Sequence, residues 1–483
     1  MKKTNNNTLS ALTALLLFVT LNSFAQTHDV SINIRLHGAH QSKISLMPLT
    51  GENAFKPIIV SEVINNNQTT LLKVPAEYLP GEFVLRFDYK AQAASSPYPA
   101  EKKVIINQQE LNLVANPPYI NNPDSSYFQP GELENSALAA FNRDNEIAKA
   151  PLTVLQSVLL NYDDTRSEFY QSALTAYENR RTKYHNWLAA AISKDKALFV
   201  SHIYQFNYLP RLSAPQANLA YDVKKLIDQY FEMHNLNDPL ILRTAQFSKW
   251  VDGYVNLYGQ LINNNASRDS LLSLAARTAI ERAKKGNSLI YGWMVDYFYK
   301  GFETNQIQAG MKVLEPYIND PECPTRNRQE INKRLQGIEK LVNGATAPEI
   351  KMIDIENKKF ELTTYKTNSK YMLLLFWAAG CSHCNELVKQ LNPWYQQKAV
   401  QLKVKLVGVS LDDNEYDTAL WRALAPQLGS WMHLHAAEGV RSQVANDYSI
   451  LSTPTMFLLD AQTKKIVAQP TSFEDLKTVL QGI

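Results

Sequence analysis

The chain has 483 residues, room for about three domains of ordinary size. Hydrophobic residues at 45% and charged residues at 20%, with 17 Gly and 22 Pro, are those of a globular protein and exclude a collagen-like or wholly disordered chain. Lys and Arg number 49 against 46 Asp and Glu, a net charge of +3, so nothing favours a nucleic-acid or anionic-membrane partner, and only three Cys rule out a disulfide-stapled scaffold.

Met1 to Gln26 carries Lys2 and Lys3, an apolar stretch from Leu9 to Leu21 and the small-x-small site Ser23-Phe24-Ala25. This pattern predicts a signal peptide over residues 1–25 and an exported, periplasmic protein. Thr13 and Thr20 interrupt the apolar run, which falls short of the roughly 20 residues that span a bilayer. Gln26 rather than Cys follows the cleavage site, so no lipidated N-terminus is expected, and no later segment is apolar enough to span.

Period-two alternation begins at Val30, with Ile32, Ile34 and Leu36 on the same face, and recurs at Phe83, Leu85, Phe87 and Tyr89. Turn signals at Leu79-Pro80-Gly81 and Ser95-Ser96-Pro97 separate the runs, so residues 27–120 are predicted to form a small β-sandwich domain. His28, His37 and His40 are too scattered to make a site. Residues 121–131, rich in Asn and Pro, read as a linker.

From about Glu132 to Asn343 the apolar residues recur at helical spacing, as in Leu138, Phe141, Ile147, Leu152, Leu155, Val158 and Leu159. This predicts an all-α helical domain over 132–343. The aromatic residues Trp187, Trp250, Tyr254 and Tyr258 are assigned to its core rather than to a ligand groove. Cys323, in the Pro-bracketed loop Asp320-Pro321-Glu322-Cys323-Pro324, is read as a partly buried spectator thiol.

A third texture covers residues 345–483. Tyr371–Trp377 and Val404–Ser410 are continuous apolar runs, a helix is expected from Asn385 to Tyr395, and Thr455–Leu459 is a further strand. Apolar strands alternating with helices predict an α/β domain whose sheet is covered on both faces.

Cys381-Ser382-His383-Cys384 follows the first of these strands and opens the helix. At a strand-to-helix turn the first Cys lies at the helix N-terminus, where free amides and the macrodipole stabilise a thiolate. Cys381 is therefore the predicted nucleophile, and Cys384, one turn further in and shielded, the resolving thiol. His383 between them is a candidate for tuning the redox couple toward a better oxidant. Zinc at Cys381, His383 and Cys384 would need a second ligand pair, for which the chain offers His433 and His435 downstream but no second Cys pair; copper(I) on the two thiols is the minor alternative. No metal and no cofactor is expected.

Phe376-Trp377-Ala378 before the CxxC, the Val407-Gly408-Val409-Ser410-Leu411-Asp412 run, and Ser452-Thr453-Pro454-Thr455 leading into Phe457-Leu458-Leu459-Asp460 resemble the thioredoxin superfamily, specifically its exported TlpA/ResA-like thiol-disulfide oxidoreductases. The resemblance implies a cis Pro454 facing the CxxC, substrate contacts from Thr453, Pro454 and Trp377, and an extra strand-helix unit between Cys384 and Pro454. Protein thiols and disulfides, with a separate redox partner, are the partners it implies. The β-then-helical order of 27–340 is similar to the accessory domains of multi-domain members.

The chain also departs from the family. Leu375 stands where thioredoxin has a buried Asp, Leu387 where ResA-like members have a Glu, Lys389 where the helix has a Pro, and Gly380 where a Trp precedes the first Cys. Water, His383 and Glu386 are left as candidate bases for Cys384. The leading reading is an enzyme exchanging disulfides through Cys381 and Cys384 in the reducing direction, with His383 the one feature arguing for a more oxidising couple. The alternative is an exported binding or assembly protein that uses the fold as scaffold. A peroxidase is disfavoured, because Phe376-Trp377-Ala378-Ala379-Gly380-Cys381 lacks the Pro and Thr that surround a peroxidatic Cys.

Overall fold

A computed structural model describes residues 28–209, 219–305, 307–450 and 452–482. The expected signal peptide lies outside the described residues. Among those described, no helix is long and apolar enough to cross a membrane. The chain divides into two compact units, Met1–Leu209 with Leu240–Ser248, and Pro210–Pro239 with Lys249–Ile483.

The first unit opens with a β-sandwich. One sheet has the order Thr69–Val74, Val30–Leu36, Leu111–Ala115, Tyr127–Phe128, and the other Ile59–Val60, Gln41–Pro48, Gly81–Lys90, Tyr98–Ile106, with Ile64–Asn65 also on Gln41–Pro48. Val30–Leu36 runs antiparallel to Thr69–Val74 and parallel to Leu111–Ala115. The alternating residues Val30, Ile32, Ile34 and Leu36 meet Phe83, Leu85 and Phe87 in one core. Each such side chain gains about 1.5–3 kcal/mol by leaving water.

The segment read as a linker contributes a strand. Tyr127–Phe128 pairs antiparallel with Leu113 and Val114, and the Phe128 ring packs on the sandwich core with Lys102 Nζ 5.8 Å from its centroid. Two residues suffice because one large ring reaches apolar surface, a signal that the polar composition around it conceals.

The helices Glu134–Asn161 and Glu168–Lys194 follow. Buried Glu134 accepts the Phe199 and Val200 amides at 2.9 and 3.0 Å, and Phe141 stacks on Tyr204 at 3.7 Å. Ile147, counted in the helical apolar spacing, is 69% exposed. The buried face is set by Phe141, Asn145, Leu152 and Leu159, and Ile147 lies two residues past Asn145, about 200° round the helix.

In the second unit Tyr254 and Tyr258 do form core, with the half-buried Trp250 packed beside them. Tyr254 is fully buried and donates to the Ala275 carbonyl, and Trp250 stacks on Tyr230 at 5.1 Å. The helix Arg328–Lys340 braces the C-terminal region: Arg334 pairs with Glu303 at 2.9 Å and donates to the Ser449 carbonyl at 2.7 Å.

The C-terminal sheet has the order Met432–His435, Val404–Ser410, Tyr371–Trp377, Thr455–Asp460, Ile466–Ala468. The first three strands are parallel and the last two antiparallel to their neighbours. Every residue of Tyr371–Trp377 is buried, because the strand is central and both its faces are covered. Met372, Leu374 and Phe376 enter one core, while Tyr371, Leu373, Leu375 and Trp377 enter the other with Leu387, Val388 and Leu391 of the following helix. That helix runs Ser382–Tyr395, beginning three residues before the expected Asn385, because Cys381 itself takes the N-cap. The span to Pro454 holds the strand Val404–Ser410, the helix Glu415–Leu424 and the parallel strand Met432–His435.

Candidate active site

The central strand ends at Trp377, a turn of three residues follows, and Cys381 caps the helix. Its extended backbone (φ −89°, ψ 118°) aims the side chain back over the first turn, where Sγ accepts the Cys384 amide at 3.4 Å. Across the site, the Cys381 thiol is 3.6 Å from the Thr453 carbonyl, to which it donates, and the Thr453–Pro454 peptide is cis. Thr453 and Pro454 are half-buried beside the half-exposed Cys381. Cys384 is fully buried, and its sulfur accepts the Ala378 amide at 3.5 Å. Both thiols are free.

These surroundings separate the two sulfurs. Burial alone would push the Cys381 thiol up, but the thiol and amide of Cys384, Thr453 and the His383 backbone together bring it below the ordinary thiol value. For Cys384 burial dominates, reinforced by the Cys381 sulfur, and pushes it up to about 12. The outer sulfur is thus the one poised to ionise.

The other expected residues are placed less evenly. His383 is exposed on the first turn. Trp377, expected among the substrate contacts, is wholly buried in the core below the site, 6.4 Å from the Trp431 ring centroid, and no substrate reaches it. It is the last residue of a strand covered on both faces, whereas the exposed surface belongs to the turn after it. Glu386 is no base for Cys384: its side chain is 70% exposed and pairs with Lys389 at 3.4 Å. Leu375 and Leu387 pack in the same apolar cluster as Cys384. His433 is buried and stacks on Trp431 at 6.0 Å, its ring pushed down to about 4 by burial and by Lys405. His435 stacks on Trp421 at 4.7 Å and donates through Nε2 to the Asp412 carbonyl at 2.8 Å. Among the described residues, no group of three His, Cys, Asp or Glu side chains is gathered as a metal would require.

Two residues without an assigned role lie against the turn. Asp412, 2% exposed, receives the Ala379 amide at 2.9 and 3.0 Å, the Gly380 amide at 3.4 Å and the Ser410 hydroxyl at 2.7 Å. Asp417 of the next helix presses its carboxylate against Gly380, filling the space a Cβ there would need, and is held by the Asn414 side chain at 2.6 Å. The one trace of Asp417 in the sequence is Gly380 itself, a small residue where the resembling family has Trp.

A family model described as thioredoxin-like matches residues 368–466. The thiol-disulfide oxidoreductase ResA of a Bacillus cereus strain is 30% identical over 151 residues, covering 30% of this chain and 80% of the relative. ResA of Geobacillus thermodenitrificans is 29% identical over 145 residues, 29% of this chain and 77% of the relative. Among solved structures, a thioredoxin-like protein from Bacteroides caccae aligns over 57% of this chain and 98% of its own at 16% identity and a TM-score of 0.40. The thioredoxin domain of a thiol-disulfide oxidoreductase from Bacteroides vulgatus aligns over 29% and 97% at 28% identity and a TM-score of 0.26.

Proposed function

The chain belongs to the thioredoxin superfamily, among its TlpA/ResA-like thiol-disulfide oxidoreductases, and from that premise we propose that Cys381 and Cys384 reduce disulfides in exported proteins. The observation that carries this reading is the asymmetry of the two sulfurs: Cys381 half-exposed, amide-capped and lowered, Cys384 buried and raised.

The Cys381 thiolate attacks one sulfur of a substrate disulfide, forming a Cys381–substrate disulfide and expelling the other substrate sulfur as a thiolate that takes a proton from water. Cys384 then loses its proton and attacks the Cys381 sulfur, closing the Cys381–Cys384 disulfide and expelling the second substrate sulfur as a thiolate that takes up the proton Cys384 gave up. Two electrons have passed from the dithiol to the substrate, and a partner protein dithiol must return them. Thr453, whose carbonyl already meets the Cys381 thiol, and Pro454 supply the edge on which an extended substrate lies.

Export follows from the Lys2-Lys3, Leu9–Leu21 and Ser23-Phe24-Ala25 pattern. A protein recovered outside the cytoplasm with its N-terminus at Gln26 supports it, and one retained with Met1 intact does not. For the exchange itself, the Cys384→Ser variant is expected to accumulate mixed disulfides through Cys381. No trapped species, together with no insulin-disulfide reduction by the parent protein, would leave the fold as scaffold and remove the proposal. The direction is read by equilibrating the pair against glutathione buffers, where a reductase stays oxidised until the buffer is strongly reducing.

A further inference from the structure

The amides of the turn before the nucleophile are all spoken for, and two of them go to one side chain. Ala378 N–H donates to the Cys384 sulfur, Ala379 and Gly380 N–H to the Asp412 carboxylate, and Cys381 N–H to the Ala378 carbonyl at 3.2 Å. Asp412 is brought there by strand register: Trp377 lies opposite Ser410, and the Leu411 amide donates to the Trp377 carbonyl at 2.8 Å, so the next residue reaches across to the turn. Its own backbone is held in place, since its carbonyl accepts from His435 Nε2 at 2.8 Å and from the Thr418 hydroxyl at 3.3 Å.

We propose that Asp412 is a positioning residue for disulfide exchange, its buried carboxylate holding the Ala378–Gly380 turn so that the Cys381 sulfur stays on the Cys384 amide and opposite Thr453. The inference rests on the exchange reading of the CxxC. A carboxylate suits the task because it only accepts: two amides and a hydroxyl converge on its two oxygens, and an Asn offers one acceptor and turns two donors toward donors. The Asp412 carboxylate is bonded to the Ala379 and Gly380 amides and the Ser410 hydroxyl, so it acts on the thiol through the turn. Misplacing the sulfur by a fraction of an ångström weakens the amide bond that stabilises the thiolate and spoils the in-line approach to a substrate disulfide.

The test is the pH profile of iodoacetamide labelling of Cys381 in the full chain, read by peptide mass spectrometry beside the rate of insulin-disulfide reduction. Asp412→Ala is expected to raise the labelling midpoint by about one pH unit and to slow reduction roughly tenfold, with Asp412→Asn in between. Should Asp412→Ala fail to fold, Asp412→Asn and Ser410→Ala, which removes the hydroxyl that donates to the carboxylate and accepts the Asp412 amide, decide the matter by the same shifts in smaller size. A folded Asp412→Asn with the parent's midpoint and rate overturns the inference, because a merely structural role lowers melting temperature and leaves both untouched. A parent protein whose Cys381 neither labels ahead of Cys323 nor exchanges overturns the exchange reading instead.

Discussion

Two loops of this protein carry a thiol ahead of a helix, and they treat it in opposite ways. Cys381 occupies the N-cap itself, half-exposed, with the Cys384 amide on its sulfur. Cys323 stands five residues before Arg328, where its helix begins, and is 1% exposed. Burial pushes its thiol up, and the Thr325 backbone, Tyr291 and the Arg328 guanidinium do not offset that. A Cys before a helix is therefore not enough. What separates a reagent from a buried group is one turn of register, which decides whether the sulfur meets the free amides of a helix N-terminus at half-exposure or is shut away from solvent.

The most severe break of the comparison is removal of the sulfurs at the cap. Cys381→Ser is expected to reduce insulin-disulfide reduction to background, and Cys384→Ser to halt turnover at the mixed disulfide, seen as a labile high-mass band on non-reducing gels. Survival of turnover in Cys381→Ser would erase the distinction between the loops.

The pH dependence of labelling sharpens it. A thiol lowered in the folded protein becomes reactive as pH rises through that lowered value, whereas one raised by burial reacts only further up. Cys381 is thus expected to be alkylated roughly tenfold or more faster than Cys323 at pH 7.5, starting below the ordinary thiol value of about 8.5, with Cys323 following only above it. Equal rates in the native protein would contradict the assignment.

Much of this is legible in the residues alone. The strand Tyr371–Trp377 stands out because burial on both faces demands an unbroken apolar run, and the CxxC lies at its end. What escapes depends on register and reach across the fold. Trp377 is named for substrate contact through the family resemblance, yet it is the last residue of a strand covered on both faces and is wholly buried. Asp412 stands within a recognisable run, but only the pairing of Trp377 with Ser410 shows that its carboxylate lands on the turn. Phe128 is lost in a polar stretch, since two paired residues leave no periodicity to read. Ile147 is misplaced because apolar character alone does not tell which side of a 28-residue helix faces inward.

Each loop also has a glycine contact with no room for a Cβ, which gives a smaller and more selective perturbation. A Cβ at Gly292 would meet Pro324, the residue after Cys323, at 2.9 to 3.0 Å, against backbone and a rigid ring. A Cβ at Gly380 would run into the Asp417 carboxylate. Gly292→Ala is expected to cost about 1–3 kcal/mol of stability by overpacking, measured by denaturant unfolding, while leaving the exchange rate per folded molecule unchanged. Gly380→Ala is expected to slow exchange several-fold, and Asp417→Ala in the same chain to restore it by clearing the space.

The gentlest test falls on Cys323 alone. Its side chain packs in a Pro-bracketed loop with Tyr291 and Arg328 about it, and Arg328 donates to its carbonyl at 2.6 Å, a bond that any residue at 323 keeps. Replacing the sulfur by a hydroxyl therefore removes a little apolar contact and places a polar group in a site with donors and acceptors nearby, a cost of about 1 kcal/mol at most. Cys323→Ser is expected to show that small loss in denaturant midpoint and no change in insulin-disulfide reduction or in trapping by Cys384→Ser. A clear loss of exchange would mean that the thiol one loop away takes part in the electron path, and the contrast between a capped sulfur and a packed one would have to be redrawn with both as reagents.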